Sequence, residues 1–231
     1  MPNLSRLQRQ AFSCFQQGDL DRAEKLCAGI LEYRPEDFGA LHLLGMLNFQ
    51  RQRMVEALRF LAAALRVNAD SPDAMSNLGL ALHATGRYDE AISNFRGALQ
   101  LAPDHPEILY NLANAHLELG QLAEALSSYD AVLAVAPGHV GALVNCGNAL
   151  LRLNDPVNAM ASYDTALTSM PGHPQILTNR GHALRRLDRP AEALADFKTA
   201  MTAAPEFPEA HFEAAMTQLT LGDFDAGWKE Y

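Results

Sequence analysis

Tryptophan occurs once in these 231 residues, and cysteine three times, at Cys14, Cys27 and Cys146. An odd count with no C-x-x-C pair excludes a disulfide framework and points to a reducing compartment. Basic residues are also scarce: 18 Lys and Arg face 27 Asp and Glu, for a net charge of −9. That balance argues against a general nucleic-acid binder, which needs a net basic face. No apolar run approaches the roughly 18–20 residues of a membrane span, and no basic start followed by an apolar stretch marks a signal peptide. No membrane partner and a cytoplasmic location are the resulting expectations. The vocabulary of catalysis is missing too. There is no phosphate-binding loop, nucleophile elbow or H-E-x-x-H, so neither an enzyme, a cofactor nor a metal is expected within this chain.

What the chain does have is a period. Asn77–Pro103 reads N-L-G-L-A-L-H-A-T-G-R-Y-D-E-A-I-S-N-F-R-G-A-L-Q-L-A-P, and its spelling returns from Asn111 to Pro137, Asn145 to Pro171 and Asn179 to Pro205. With position 1 set at Leu4, Phe38, Pro72, Pro106, Val140, Pro174 and Pro208, the spacing is 34 throughout, and a seventh, partial repeat reaches Tyr231. A fixed period of this size signals stacked units that each touch only their neighbours. One array over 1–231 is the expected domain organisation. The last repeat stops inside its second helix, leaving Trp228 and Tyr231 nothing downstream to pack on, so the natural protein is expected to continue.

Each repeat reads as two helices. In the third, Met75, Leu78, Leu82 and Thr85 recur every three or four residues and make one stripe of the first helix. Gly86 supplies the turn. The second helix starts near Arg87–Asp89, buries Ala91, Ile92, Phe95, Ala98 and Leu99, and stops before Pro103. Position 8 is always Gly or Ala (Gly45, Gly79, Gly147 and Gly181 among them), as is position 20 (Ala57, Ala91, Ala125, Ala159, Ala193). Leu61, Phe95, Tyr129, Tyr163 and Phe197 at position 24 are bulky and should fill the space the small residues leave. Gln10, Cys14, Cys27 and Arg6 make the first repeat look like a polar cap, with the two cysteines on facing helices.

This pattern resembles the tetratricopeptide repeat family. Leu78, Gly79, Ala91, Phe95, Ala98 and Pro103 match its consensus, and the match runs over residues 4–231. Departures are Ala69 where proline is usual and Arg180 where an apolar residue is expected. The resemblance implies an all-α fold: a right-handed α-solenoid of antiparallel helix pairs whose first helices line a concave groove for a protein or extended peptide. Family members that grip the C-terminal carboxylate of heat-shock proteins use lysines at positions 5 and 2. Here those places hold Gln8, His42, Ser76, Tyr110, Val144 and Thr178, and Asp73 and Glu107 among others, so that partner is not expected. The spelling N-L-A-N-A-H-L-E-L-G-Q-L-A-E-A-L-S-S-Y and the end Gly222-Asp-Phe…Trp228-Lys-Glu-Tyr further resemble the repeat arm of O-linked N-acetylglucosamine transferases. That likeness implies a substrate-presenting arm ahead of a glycosyltransferase region that these residues do not contain.

Two residue sets stand out as candidate sites. Asn77, Asn111, Asn145 and Asn179 all fall at position 6, off the packing stripe. Asparagine is a weak helix former, and its amide can pair with a peptide backbone of any sequence. Asn114 and Asn148 at position 9 extend this set, with His182 in the equivalent place next door. The alternative for these amides is bonding between helices of the array, or plain exposure. The second set is basic: Arg152, Arg180, Arg185, Arg186 and Arg189. Arg152, Arg185 and Arg186 could dock an acidic segment through charge-assisted bonds, or could simply offset helix dipoles at their C-termini. His105, His139 and His173 share position 34 and read as turn residues, roughly 20 Å apart and too far for a common metal. The leading expectation is a peptide- or protein-binding scaffold, the recognition module of a larger protein. A self-associating structural scaffold is the alternative of another class.

Overall fold

The computed structural model describes residues 3–231, and these residues form fourteen helices and no strand. They fall into two compact units, Met1–Leu119 and Gly120–Tyr231. The first holds α1 (Leu4–Gln16), α2 (Leu20–Tyr33), α3 (Phe38–Gln50), α4 (Met54–Val67), α5 (Pro72–Ala84), α6 (Tyr88–Leu101) and α7 (Pro106–Glu118). The second holds α8 (Leu122–Val135), α9 (Val140–Arg152), α10 (Pro156–Ser169), α11 (Pro174–Arg186), α12 (Pro190–Ala203), α13 (Pro208–Thr220) and α14 (Phe224–Glu230). The odd-numbered helices begin at position 1 of each repeat, so the period in the sequence is the period of the helix pairs. Within each unit, consecutive helices pack on each other. First helices also approach the first helices of neighbouring repeats: α1 meets α3, α3 meets α5, α5 meets α7, and likewise α9, α11 and α13.

Local chemistry sets the helix boundaries. Asp19, Asp37, Ser71, Asp155 and Asp223 accept a backbone N–H of the first turn and cap their helices. Proline opens α5, α7, α10, α11, α12 and α13, where its missing N–H has no partner to lose. His105, His139 and His173 turn out to be N-cap residues, and His139 Nδ1 accepts from the Ala142 N–H at 3.0 Å. Position 15, between the two helices of a repeat, always takes a positive φ. Glycine fills it at Gly18, Gly86, Gly120 and Gly222, whereas Gln52, Asn154 and Asp188 adopt φ of 58°, 60° and 58°. A side chain there is strained, least for Asn and Asp.

The close approach of paired helices occurs where the small residues lie. A Cβ on Gly79 would sit 2.6 Å from the Phe95 ring, and one on Gly147 would sit 2.5 Å from Tyr163. Gly45 meets Leu61 and Gly181 meets Phe197 in the same way. Phe95, Tyr163, Phe197 and Leu61 are wholly buried, as are Ala57, Ala91, Ala159 and Ala193 at position 20. In the first repeat Ala11 replaces the glycine and the short Cys27 replaces the ring, so the volume is conserved. Cys14 and Cys27 share one core with Ile30 and Leu44, both as free thiols. Burial first, then the charges of Asp37 and Glu24, push the Cys27 thiol up to about 12, which leaves it protonated and inert at neutral pH. The first repeat is therefore capped by a thiol-bearing core rather than by buried polar groups: Gln10 is half-buried and Arg6 exposed. Thr85, expected on the apolar stripe, is exposed at the C-cap of α5, its hydroxyl donating to the carbonyls of Ala81 and Leu82.

Arg180, the departure from an apolar position 7, has a compensating partner that the periodicity did not reveal. Its Nε and Nη2 donate to the two Asp196 oxygens at 2.8 and 2.7 Å, and its Nη1 to Asp164 at 2.7 Å. Asp196 is buried at position 23, where other repeats place Leu26, Phe60, Asn94, Ser128 and Ser162. A bidentate ion pair thus substitutes for an apolar contact. Arg180 consequently leaves the basic set: it belongs to the joint between α11 and α12.

Two outcomes follow from this packing. Gln52→Gly relieves a left-handed glutamine and raises stability by about 0.5–1 kcal/mol, read as an upward shift in chemical denaturation midpoint. Arg180→Leu strands a buried carboxylate and costs about 2 kcal/mol, discounted for the partial exposure of the pair. Adding Asp196→Ser, which restores the usual pattern, recovers most of that loss in a double-mutant cycle.

Candidate functional site: one face of the first helices

Positions 6, 9 and 13 are spaced by three and four residues, so they share one face of each first helix. Positions 2 and 5 flank that face. In the first unit this face opens into a cleft of about 900 Å³ built from α1, α3, α5 and α7. Asn77 and Asn111 lie in its lining beside the apolar side chains of Phe12, Met46 and Leu80. Asn77 Nδ2 lies 2.8 Å from His42 Nε2. Burial holds the His42 imidazole below its ordinary pKa, against an opposing pull from Asp73, so the ring is neutral and its Nε2 accepts. Gln8 reaches across to Asp37, 2.8 Å from both carboxylate oxygens, and Asp37 in turn caps α3 through the Ala40 N–H. The polar floor of the cleft is thereby tied down while Phe12 stays half-exposed.

In the second unit the same face makes a different surface. Asn148, Leu151 and Arg152 on α9, Asn179, His182, Arg185 and Arg186 on α11, and Glu213 on α13 enclose about 680 Å³. Two sets that look unrelated in the sequence, amides and arginines, meet here. Asn148 Oδ1 accepts from Tyr163 Oη at 2.7 Å and from Asn179 Nδ2 at 3.1 Å. Asn179 Oδ1 accepts from Gln175 Nε2 at 3.1 Å. Bonding between helices therefore engages the Asn148 amide oxygen, and a bond within α11 engages that of Asn179. Arg185 ion-pairs with Glu213. Arg186 donates to the Leu151 carbonyl, one of the last-turn acceptors of α9. His182 lies 4.0 Å from Glu209 and 3.9 Å from Glu213. Arg189 pairs with Glu192 on its own helix. Asn114 and Asn145 are half-buried, on α7 and α9 respectively.

The asparagines share their face with residues that the asparagine register does not point to. His42, Gln8, Phe12, Met46 and Leu80 line the first cleft without an asparagine-like signature. Their positions, 5 and 9, are the signal that finds them once the face is defined. Glu213 in the second pocket carries no sequence signal beyond its place at position 6.

The fold and these faces define a helical-repeat protein built from paired antiparallel helices. Tetratricopeptide repeat models match residues 15–79 and 82–139, and also 56–106 and 178–227, so the chain belongs to the tetratricopeptide repeat family. No curated protein sequence matches it. Among solved structures it is similar to pilF of Pseudomonas aeruginosa, at 17% identity and a TM-score of 0.78 over 94% of this chain and 97% of that one. It is likewise similar to a tetratricopeptide repeat protein from Parabacteroides merdae, at 17% identity and a TM-score of 0.77 over 98% of this chain and 90% of that one. YrrB, described as having an unusual peptide-binding site, aligns at 20% identity and a TM-score of 0.68 over 80% of this chain and 95% of its own. At these identities the likeness shows the fold. No described helix is long and apolar enough to cross a membrane.

His42 reports directly on the first cleft. Its titration midpoint, followed by NMR, lies below the ordinary histidine value, and Asp73→Asn lowers it further because a charge that favours the imidazolium is gone.

Proposed function

We propose that this chain binds protein or peptide segments along the exposed face of its first helices. The observation that carries the reading is the first-unit cleft. There, side chains that the helix pairing does not require, Asn77, Asn111, Phe12, Met46 and Leu80, converge on one large concavity. Apolar contacts of this kind supply binding energy, while fixed amides meet the carbonyls and N–H groups of an extended backbone. Such contacts do not depend on the ligand's sequence, which suits a scaffold with a range of clients. The unbroken 34-residue spacing supports treating all seven repeats as one array. The resemblance to the arm of O-linked N-acetylglucosamine transferases rests on repeat spelling alone.

A second reading, self-association, draws on the second unit. Phe212, Phe224, Trp228 and Tyr231 are exposed close together, with Tyr231 5.9 Å from both the Phe212 and Trp228 rings. Contiguous exposed aromatics of this kind mark interaction surfaces. Sedimentation at rising concentration separates the two readings, since a monomer at all concentrations removes the second.

The binding reading is tested with peptides selected from a random display library on the purified protein. Asn77→Ala with Asn111→Ala weakens the selected peptides by about tenfold, as expected for two lost amide contacts, with helical circular dichroism unchanged. Undiminished affinity in the double variant removes the amides from the contact surface.

A further inference from the structure

The second-unit pocket differs in chemistry from the first-unit cleft although it uses the same helical positions. Position 13 reads Gln16, Gln50, Ala84 and Glu118 in the first four repeats, then Arg152 and Arg186 in the fifth and sixth. The pocket thus gathers three arginines, Arg152, Arg185 and Arg186, against one lining carboxylate, Glu213, in a chain whose net charge is −9. Arg185 is matched to that carboxylate. Arg186 is held in place by the Leu151 carbonyl, a neutral acceptor that orients the guanidinium without cancelling its charge.

The amides carry the argument further. Asparagine offers a pocket either an acceptor oxygen or donor N–H groups, and the surrounding bonds decide which. Asn148 Oδ1 already accepts from both Tyr163 and Asn179, and Asn179 Oδ1 accepts from Gln175. The side chains left to meet a ligand are therefore mainly donors: the Asn148 amide nitrogen, the second N–H of Asn179 and the Arg186 guanidinium. A pocket of donors around that positive charge selects an acceptor that is itself negative, because a neutral or basic group would leave the Arg186 guanidinium uncompensated.

We infer that the pocket between α9, α11 and α13 is an acid-reading subsite, which takes the aspartate or glutamate side chains of a bound polypeptide. This rests on the reading of the first-helix face as a polypeptide-binding surface, and adds the chemical class of the segment. The incoming carboxylate bonds Arg186 and the Asn148 and Asn179 amide nitrogens, and competes with Glu213 for Arg185. The arrangement differs from a clamp built on lysines at positions 5 and 2: the corresponding places here are Val144 and Thr178, and Gly141, Gln175 and Glu209. The cations come instead from positions 12 and 13, at least about two turns further along the helix.

The test uses fluorescein-labelled Gly–Glu and Gly–Gln repeat peptides and fluorescence anisotropy on the whole chain at low salt. The Glu peptide binds about tenfold more tightly than the Gln peptide, as expected for charge-assisted bonds in a pre-formed donor pocket. Arg186→Gln, an exposed substitution whose melting temperature is checked, removes most of that difference and leaves the Gln peptide unchanged. Arg34→Gln, an exposed arginine of the first unit, changes neither. Equal affinity for the two peptides, no binding of the Glu peptide, or a preference that survives Arg186→Gln overturns the assignment. So does a phosphoserine peptide that binds where the Glu peptide does not, which would make the site phosphate-selective. Display-selected peptides that depend on Asn77 and Asn111 but ignore Arg186 sink this inference alone. A failure to select any peptide sinks the binding reading beneath it.

Discussion

The contact between a glycine on one helix and a large side chain on its partner governs this structure. Gly79 against Phe95, Gly147 against Tyr163, Gly181 against Phe197 and Gly45 against Leu61 leave no room for even a methyl group. That proximity fixes which faces of the two helices meet. It also explains the small residue at position 20, which lies wholly buried from repeat to repeat. Where the large side chain shrinks to Cys27, the glycine becomes Ala11, so the volume is kept although both identities change.

Pairing of this kind consumes one stripe of each first helix and leaves another. The leftover face, at positions 2, 5, 6, 9 and 13, is released from packing and can carry any chemistry. In the first unit it carries phenylalanine, methionine and leucine beside tied-down amides. In the second it carries arginines and amides whose oxygens are spoken for. The same backbone thus yields an apolar cleft and a basic pocket. The division between structure and recognition follows from helical periodicity, since residues three and four apart cannot serve both faces.

How legible each part was depends on how far its causes reach along the chain. Helix boundaries, the small-large pairs and the turns between paired helices were readable because each recurs at a fixed place along the 34-residue period. Arg180 looked like a break in the pattern, and part of a basic cluster, because its partner Asp196 lies on the next helix and fits no consensus. Thr85 fitted the apolar spacing but sits one step past it, at a C-cap where its hydroxyl meets free carbonyls. The asparagines at position 6 were visible as a register. Which atom of each amide faces outward was not, since that is decided by Tyr163 and Gln175.

The sequence by itself determined the repeat, its length, the helix pairs and the family, because those follow from local spacing and from steric fit between positions that recur. Only the tertiary structure decided that amides and arginines from two helices share one pocket. It also decided that Arg186 keeps its charge while Arg185 spends its own on Glu213, and that His42 is a neutral acceptor for Asn77. These are properties of groups brought together from different repeats. Their electrostatics depend on burial and on third partners, neither of which a linear pattern records.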